Sequence, residues 1–223
     1  MICSKENCTG CFACYNVCPK KAIVMKEDEV GAIYPEIIKE KCINCKLCER
    51  VCPQLKKLNY NKPQKVFAMY SKNKKIREES TSGGAATLFY IKILNDNGIV
   101  YGADNINAEK KFEFIRITDK GDLKRVKGSK YVHCYVNNNY LRVKEDLENE
   151  KEVLFIGTPC QVSGLKEFLG KEYDNLYLID LICHGVPTQK FLREQLKLCK
   201  VNEKKIKKIT FRNSSGYKLS IYA

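Results

Sequence analysis

The sequence predicts a small α+β module followed by a larger α/β domain with a partly parallel sheet. Eight regularly spaced cysteines lie within the first 58 of the 223 residues. After residue 65, short apolar segments alternate with stretches of helical periodicity, the pattern of an α/β layer. Residues 59–64 are polar and broken by Pro63, as in a linker. We therefore expect modules at 1–58 and 65–223, joined by the linker 59–64.

The first module carries one cysteine pattern written twice, and the second copy starts 34 residues after the first. Each copy reads C-x2-C-x2-C-x3-C-P, the spacing of bacterial ferredoxins, in which soft thiolates hold 4Fe–4S clusters. The copies are Cys8, Cys11, Cys14, Cys18 and Pro19, then Cys42, Cys45, Cys48, Cys52 and Pro53. The pattern predicts a ferredoxin-like module with two 4Fe–4S clusters.

The proline after each run predicts cross-ligation. It turns the chain away, so the fourth cysteine reaches the cluster of the other copy. Cluster one would take Cys8, Cys11, Cys14 and Cys52, and cluster two would take Cys42, Cys45, Cys48 and Cys18. The residue after the second cysteine, often glycine in ferredoxins, is Phe12 in one copy and Lys46 in the other. Cys3, Cys134 and Cys199 fit no spacing and are interpreted as incidental.

Zinc and disulfides are the alternatives for such a cysteine-rich segment. Structural zinc usually takes two pairs of ligands separated by a long spacer, unlike these two runs of four. Disulfides need an oxidising compartment, yet no apolar signal segment opens the chain. No apolar run approaches the length of a membrane span. We expect a cytoplasmic protein from an anaerobic or low-oxygen cell.

The formal charge of +14 consists mainly of lysine, with 33 Lys against 7 Arg. Two bound clusters of about −2 each would lower the total to about +10. Proteins that recognise nucleic-acid bases and phosphates usually do so through arginine side chains. Because lysine dominates here, we expect no nucleic-acid partner. Lysine groups such as 72–75 and 204–208 indicate solvated faces, with the alternative of steering an acidic redox partner.

Alternating elements are predicted along the chain. Between the cysteine runs, Ala22–Met25 and Ile33–Ile38 are predicted strands. In the second module the predicted strands are Val66–Ser71, Ile99–Ala103, Phe112–Thr118, Val153–Ile156, Leu176–Ile182 and Ile206–Arg212, with Val153–Ile156 and Leu176–Ile182 buried. The predicted helices are Thr87–Asp96, Tyr140–Glu150, Gln161–Leu169 and Thr188–Cys199.

Three loops of the second module are candidate sites. Residues 80–87 are small and lead into a helix whose N-terminus suits phosphate, although an ordinary N-cap is the alternative. Residues 157–161 and 183–188 each follow a predicted strand. If those strands are parallel, both loops open on the ligand-binding edge, and Cys160, Cys183 and His184 could converge there. The alternative is that these cysteines are small buried hydrophobes in plain turns.

The combination of these motifs resembles the coenzyme F420 hydrogenase/dehydrogenase beta-subunit family. The resemblance rests on the dicluster module, Ser82–Gly84, Gly128–Val132, Val153–Gln161 and Cys183–Gly185. It implies an iron–sulfur flavoprotein oxidoreductase that binds FAD. Members pass electrons between clusters and a substrate such as a deazaflavin, a ferredoxin or a reducible pigment precursor.

Carried onto this sequence, the resemblance implies site residues for the flavin and the substrate. Ser82, Gly83, Gly84 and Thr87 would cradle the flavin, and Gly128, Ser129, Lys130, Tyr131, Thr158 and Cys160 would line its pocket. Cys183 and His184 would lie near the substrate, and Cys160, Cys183 and His184 are the candidate catalytic residues.

Two classes of function follow from this resemblance. One is an FAD and 4Fe–4S enzyme that takes electrons from a ferredoxin-type protein or partner subunit and acts on a small-molecule substrate. The other is a non-catalytic electron-transfer subunit on a truncated scaffold. Family members continue past a segment resembling residues 210–216, so part of the catalytic domain is expected to be missing at the C-terminus.

Overall fold

A computed structural model describes residues 2–57, 62–104, 111–212 and 216–222. The first module contains a helix, a two-stranded antiparallel sheet and a second helix. These are α1 (Ala13–Val17), β1 (Ile23–Glu27), β2 (Ile33–Ile37) and α2 (Leu47–Arg50), followed by a 3₁₀ turn at Pro53–Leu55. Both strands predicted here are confirmed.

The second module is a mixed α/β layer. Its strands are β3 (Ile99–Ala103), β4 (Phe114–Ile117), β5 (Val153–Gly157), β6 (Leu176–Asp180), β7 (Lys208–Thr210) and β8 (Ser220–Tyr222). Its helices are α3 (Lys74–Glu78), α4 (Ala85–Asn95), α5 (Leu123–Val126), α6 (Asn139–Glu148), α7 (Pro159–Leu169) and α8 (Gln189–Leu198). The four long predicted helices are confirmed within a few residues.

The central sheet has the order β4-β3-β5-β6 and is partly parallel, as the sequence predicts. Strands β3, β5 and β6 run parallel, with Val153 opposite both Ile99 and Leu176, and β4 is antiparallel to β3. The carboxyl ends of β3, β5 and β6 therefore share one edge. The short strands β7 and β8 form a separate antiparallel pair.

Two predictions about strands are wrong. Residues 66–71 form no strand: Val66 and Phe67 are largely exposed, and the backbone N–H of Ser71 donates to the Gly83 carbonyl at 2.7 Å. Segment 176–182 is a strand but is not buried. Because β6 lies at the edge of the sheet, its residues are half-buried or exposed, and Ile182 beyond it is 94% exposed.

The first module packs directly onto the second. Phe12, Ala13 and Val51 belong to the same buried core as Tyr140 and Leu165 of the α/β layer. Around this core, Lys56 pairs with Glu167, Arg193 with Glu27 at 2.8 Å, and Thr188 donates to the Val30 carbonyl at 2.9 Å. The boundary at residue 58 and residues 59–61 of the linker lie outside the described residues and stay predictions. No helix in the described ranges is long and apolar enough to cross a membrane.

Candidate iron–sulfur and cofactor site

The eight patterned cysteines line two separate cavities, and each cavity mixes the two copies. One is lined by Cys8, Cys11, Cys14 and Cys52. The other is lined by Cys18, Cys42, Cys45 and Cys48. Cys18 and Cys52 thus each face the thiols of the opposite run. We call these cavity one and cavity two.

Both cavities have largely apolar walls. Ile2, Phe12 and Ala13 are among the walls of cavity one, and Ile23, Ile37 and Leu47 are among those of cavity two. Among the described residues, no three His, Cys, Asp or Glu side chains stand at the spacing of a single metal ion. A four-iron cluster holds its thiolates at separate corners, farther apart than the ligands of one ion. Two apolar cavities that each gather four of the patterned thiols fit clusters of that kind.

The two cysteine loops share one backbone geometry. Gly10 and its repeat equivalent Asn44 have φ of 60° and 53°, and Phe12 and Lys46 have φ of 67° and 57°. All four residues are therefore left-handed, a conformation that costs most non-glycine residues about 1–2 kcal/mol. The sequence lacks glycine at Phe12 and Lys46, and the fold adopts the glycine-type conformation there regardless.

Backbone N–H groups point at several of the thiols. Those of Ala13 and Tyr15 bond to Cys11 and Cys14, and the N–H of Ala22 donates to Cys18 Sγ at 3.2 Å. Such bonds orient and tune metal ligands. Burial raises the pKa of the Cys11 thiol to about 12, with a smaller opposing effect from the Ala13 N–H. Metal binding at this thiol must therefore release a proton.

The cavities differ in exposure and in neighbours. Cys14 and Cys52 of cavity one are buried, whereas Cys45 of cavity two is exposed. Cavity one also abuts α7: a β-carbon on Gly164 would stand 3.1 Å from Cys11 Sγ. Cys160 lies one turn earlier on α7 and close enough to Cys11 to raise the pKa of its thiol. Cavity one is thus the one next to the carboxyl end of β5.

The predicted phosphate loop opens on an uncapped helix. Helix α4 has Gly84 as its N-cap, at φ 84°, and no side chain caps its first turn. The alternative of an ordinary serine or threonine N-cap is therefore not what the structure has. Ser82 is exposed, Gly83 is half-buried, and Thr87 is buried in the first turn. A helix N-terminus without a side-chain cap leaves N–H groups for an anion.

The second predicted flavin segment lies against the first. The N–H of Ser129 donates to Thr81 Oγ1 at 2.9 Å, and Gly128 is left-handed at φ 81°. The Lys130 ammonium donates to the carbonyls of Val126 and Lys127, and burial lowers its pKa to about 8. The structure therefore brings residues 80–84 and 128–130 together.

Thr158 and Cys160 begin α7 at the same edge of the sheet. The Gln161 side chain accepts from the Thr158 N–H at 2.9 Å and donates to the Cys134 carbonyl at 2.8 Å. Thr158 Oγ1 lies 3.2 Å from Cys160 Sγ. Through Gln161, the carboxyl end of β5 is tied to the segment that follows Lys130.

Tyr131, Cys183 and His184 are the remaining predicted site residues. Tyr131 is 38% exposed and packs against Phe211, with ring centroids 6.1 Å apart. Cys183 is half-buried and its thiol accepts from the Gly185 N–H, whereas His184 is exposed. No hydrogen bond among the described residues joins Cys183 or His184 to Cys160. The convergence of these three side chains stays a prediction.

Sequence reasoning missed three residues near the site. Cys3 lines cavity one, and the Cys134 carbonyl anchors Gln161. His133 lies over the first cysteine loop, since a β-carbon on Gly10 would stand 2.9 Å from its Cε1. Only Cys3 had a signal in the sequence, because it stands 34 residues before Ile37, at the repeat distance.

This fold with its two four-thiol cavities defines an iron–sulfur protein of the electron-transfer class. A 4Fe–4S dicluster domain model matches residues 7–55. Models for the N-terminal and C-terminal parts of the coenzyme F420 hydrogenase/dehydrogenase beta subunit match residues 66–141 and 150–222. Together these two models cover more than half of the chain. The chain belongs to the coenzyme F420 hydrogenase/dehydrogenase beta-subunit family.

The solved structures that match number 11 chains. One comes from the xenon-derivatised F420-reducing NiFe hydrogenase complex of Methanosarcina barkeri, with 18% identity and a TM-score of 0.49. The match covers 69% of this chain and 55% of that chain, so this chain spans about half the length of that relative. No curated protein matches.

Proposed function

We propose that this chain is an FAD-containing iron–sulfur oxidoreductase subunit with two 4Fe–4S clusters. It would exchange electrons with a ferredoxin-like protein or partner subunit and act on a small molecule such as a deazaflavin. The observation that carries the proposal is the pairing of Cys18 with Cys42, Cys45 and Cys48, and of Cys52 with the first run. Chain-crossing sets of four thiols around apolar cavities are what two cubane clusters require.

Each cavity would hold its cluster by four thiolates. Cys8, Cys11, Cys14 and Cys52 would do so in cavity one, and Cys18, Cys42, Cys45 and Cys48 in cavity two. When bound, the clusters would supply one-electron transfer and the flavin would supply the two-electron chemistry. The apolar walls keep water from the buried sulfurs, and the N–H groups of Ala13, Tyr15 and Ala22 orient them.

The FAD would lie where residues 80–84 and 128–130 meet. The uncapped start of α4 offers N–H groups to the phosphates, and the small residues Gly83 and Gly84 let a ligand approach the backbone. Lys130 and Thr158 would line the pocket on the sheet side. Cys160, Cys183 and His184 are proposed on the substrate side.

Proximity supports a flavin at this edge. Cys160 lies on the face of α7 that also carries Gly164, against which Cys11 packs. Cavity one is therefore adjacent to Cys160, while the exposed Cys45 places cavity two at the surface. This arrangement suits a subunit that meets a redox protein on one side and a small molecule on the other.

A second candidate is an electron-transfer subunit with no turnover of its own. It is favoured by the exposure of His184, whose side chain makes no hydrogen bond in the part of the chain that the structure describes. Flavin content separates the two functions.

The test is anaerobic reconstitution of the chain with iron, sulfide and FAD. The first function predicts about eight irons and eight sulfides per chain, one retained FAD, and flavin bleaching when dithionite-reduced ferredoxin is added. Eight irons without flavin would support the second function. About one zinc without sulfide would refute both. Cys199→Ala, which removes an exposed cysteine outside both cavities, is the matched control.

A further inference from the structure

Cavity one contains a fifth cysteine. Cys3 is 8% exposed and lines this cavity together with the four predicted ligands. Its side chain belongs to the small buried cluster around Ile2, Ile23 and Cys52. Its thiol lies close enough to those of Cys52 and Cys8 to interact with them electrostatically. Cys3 therefore lies in the same cavity as the four predicted ligands.

Only the first copy of the internal repeat has a cysteine at this position. Cys3 stands five residues before Cys8, and its equivalent Ile37 stands five residues before Cys42. Ile37 lines cavity two, as Cys3 lines cavity one. An apolar side chain is therefore sufficient to fill this position in one half, and a thiol replaces it in the other.

A tight turn keeps Cys3 beside its neighbours. The N–H groups of Asn7 and Cys8 donate to the Ser4 carbonyl at 3.2 and 3.1 Å. Lys5 anchors the same turn to Asp28 through an ion pair of 3.0 Å. The turn therefore holds Cys3 on the wall of cavity one, in the same cluster as Cys8 and Cys52.

We propose that Cys3 is a reserve ligand of cavity one, able to replace Cys52 or Cys8 when either is lost. The proposal rests on the proposed function, since it needs a cluster in cavity one. A bond between iron and Cys3 sulfur would take the place of the lost iron–sulfur bond. The Cys3 proton would pass to solvent, and no electron would be transferred. Cavity two has isoleucine at this position and has no such reserve.

The two symmetry-related ligands give a matched test, with iron and sulfide content and the EPR signal after dithionite reduction as readouts. Cys52→Ala should keep about eight irons, whereas Cys18→Ala should fall to about four. The double variant with Cys3→Ile and Cys52→Ala should hold only about four irons. Cys3→Ile alone should keep about eight, because isoleucine already occupies the equivalent place in cavity two.

A gain-of-ligand variant tests the same idea in the other half. Ile37→Cys added to Cys18→Ala should restore about eight irons. Cys8→Ala provides a second loss variant should Cys52→Ala fail to fold, and it should also keep about eight. Wild-type protein with no iron or sulfide would refute the proposed function. If the wild type holds eight irons and both Cys52→Ala and Cys8→Ala hold only four, the proposed function stands. The proposal that Cys3 is a reserve ligand is then wrong.

Discussion

The thiol of Cys11 packs against Gly164 of helix α7, so closely that a β-carbon on the glycine would stand 3.1 Å from both Cβ and Sγ of Cys11. The same β-carbon would stand 3.0 Å from the Tyr140 hydroxyl. That hydroxyl donates to the Gln161 carbonyl at 2.6 Å and is held in place. The glycine therefore sets how near the first cysteine loop comes to the second module.

Gly164→Ala should disturb cavity one and leave cavity two unchanged. Its added methyl must push Cys11 or Tyr140 aside, and overpacking of this kind costs about 1–3 kcal/mol. We expect a lower urea midpoint and a changed EPR signal for one of the two clusters. Lys166→Ala, at an exposed position of the same helix, is the control. An unchanged EPR spectrum in Gly164→Ala would show that the contact does not matter for the cluster.

Phe12 and Lys46 both have a left-handed backbone, but their replacement by glycine should change the stability of the protein in opposite directions. Lys46 is exposed, so Lys46→Gly removes backbone strain and should stabilise by up to about 1 kcal/mol. Phe12 is 2% exposed and packs edge-on against Tyr15. Phe12→Gly loses that packing and should destabilise by about 2–4 kcal/mol. Urea midpoints of the reconstituted variants give both changes in stability. Changes of the same sign in the two variants would contradict this interpretation.

Much of the fold was predictable because local patterns and packing agree. The run Ile99–Ala103 is a strand as predicted, since it lies inside the parallel sheet between β4 and β5. Segment 66–71 has a similar composition but lies outside the sheet. Whether an apolar segment finds a partner strand depends on tertiary packing, and the segment alone does not contain that information.

The site was predictable where spacing defines it. The cysteine repeat predicts that Cys18 and Cys52 cross over, and each lines a cavity with the opposite run; their ligation of a cluster stays a prediction. The importance of Cys3 was missed because it belongs to no C-x2-C unit, and only comparison with Ile37 shows its place. The contact of Cys11 with α7 joins residues far apart in the sequence and follows from packing of the two modules.

Iron should leave the two cavities at different rates. Cys45 is exposed, whereas Cys14 and Cys52 are buried, so a water-soluble iron chelator reaches cavity two first. We expect biphasic release from the oxidised protein, with about half of the iron in the fast phase. Cys18→Ala should lack that phase. A single phase in the wild type, or a fast phase that persists in Cys18→Ala, would contradict the difference in exposure.

Lys130 belongs to the proposed flavin segment 128–130. Burial lowers its pKa from 10.5 to about 8, with weaker opposing effects from Cys134 and Asp104. Between these values the unfolded chain binds a proton that the folded chain does not, so this group makes stability rise with pH from about 8 to about 10.5. Below pH 8 the half-buried ammonium opposes folding, and its bonds to the Val126 and Lys127 carbonyls offset this only in part.

Lys130→Met keeps an unbranched side chain, one heavy atom shorter, and removes the charge. The thermal midpoint of wild type minus that of Lys130→Met should therefore increase as the pH is raised from 8 to 10. Other titrating groups contribute equally to both proteins and cancel in this difference. Lys124→Met, at an exposed position of helix α5, is the control and should show a flat difference. A flat difference for Lys130→Met as well would mean that its ammonium is solvated and its pKa ordinary.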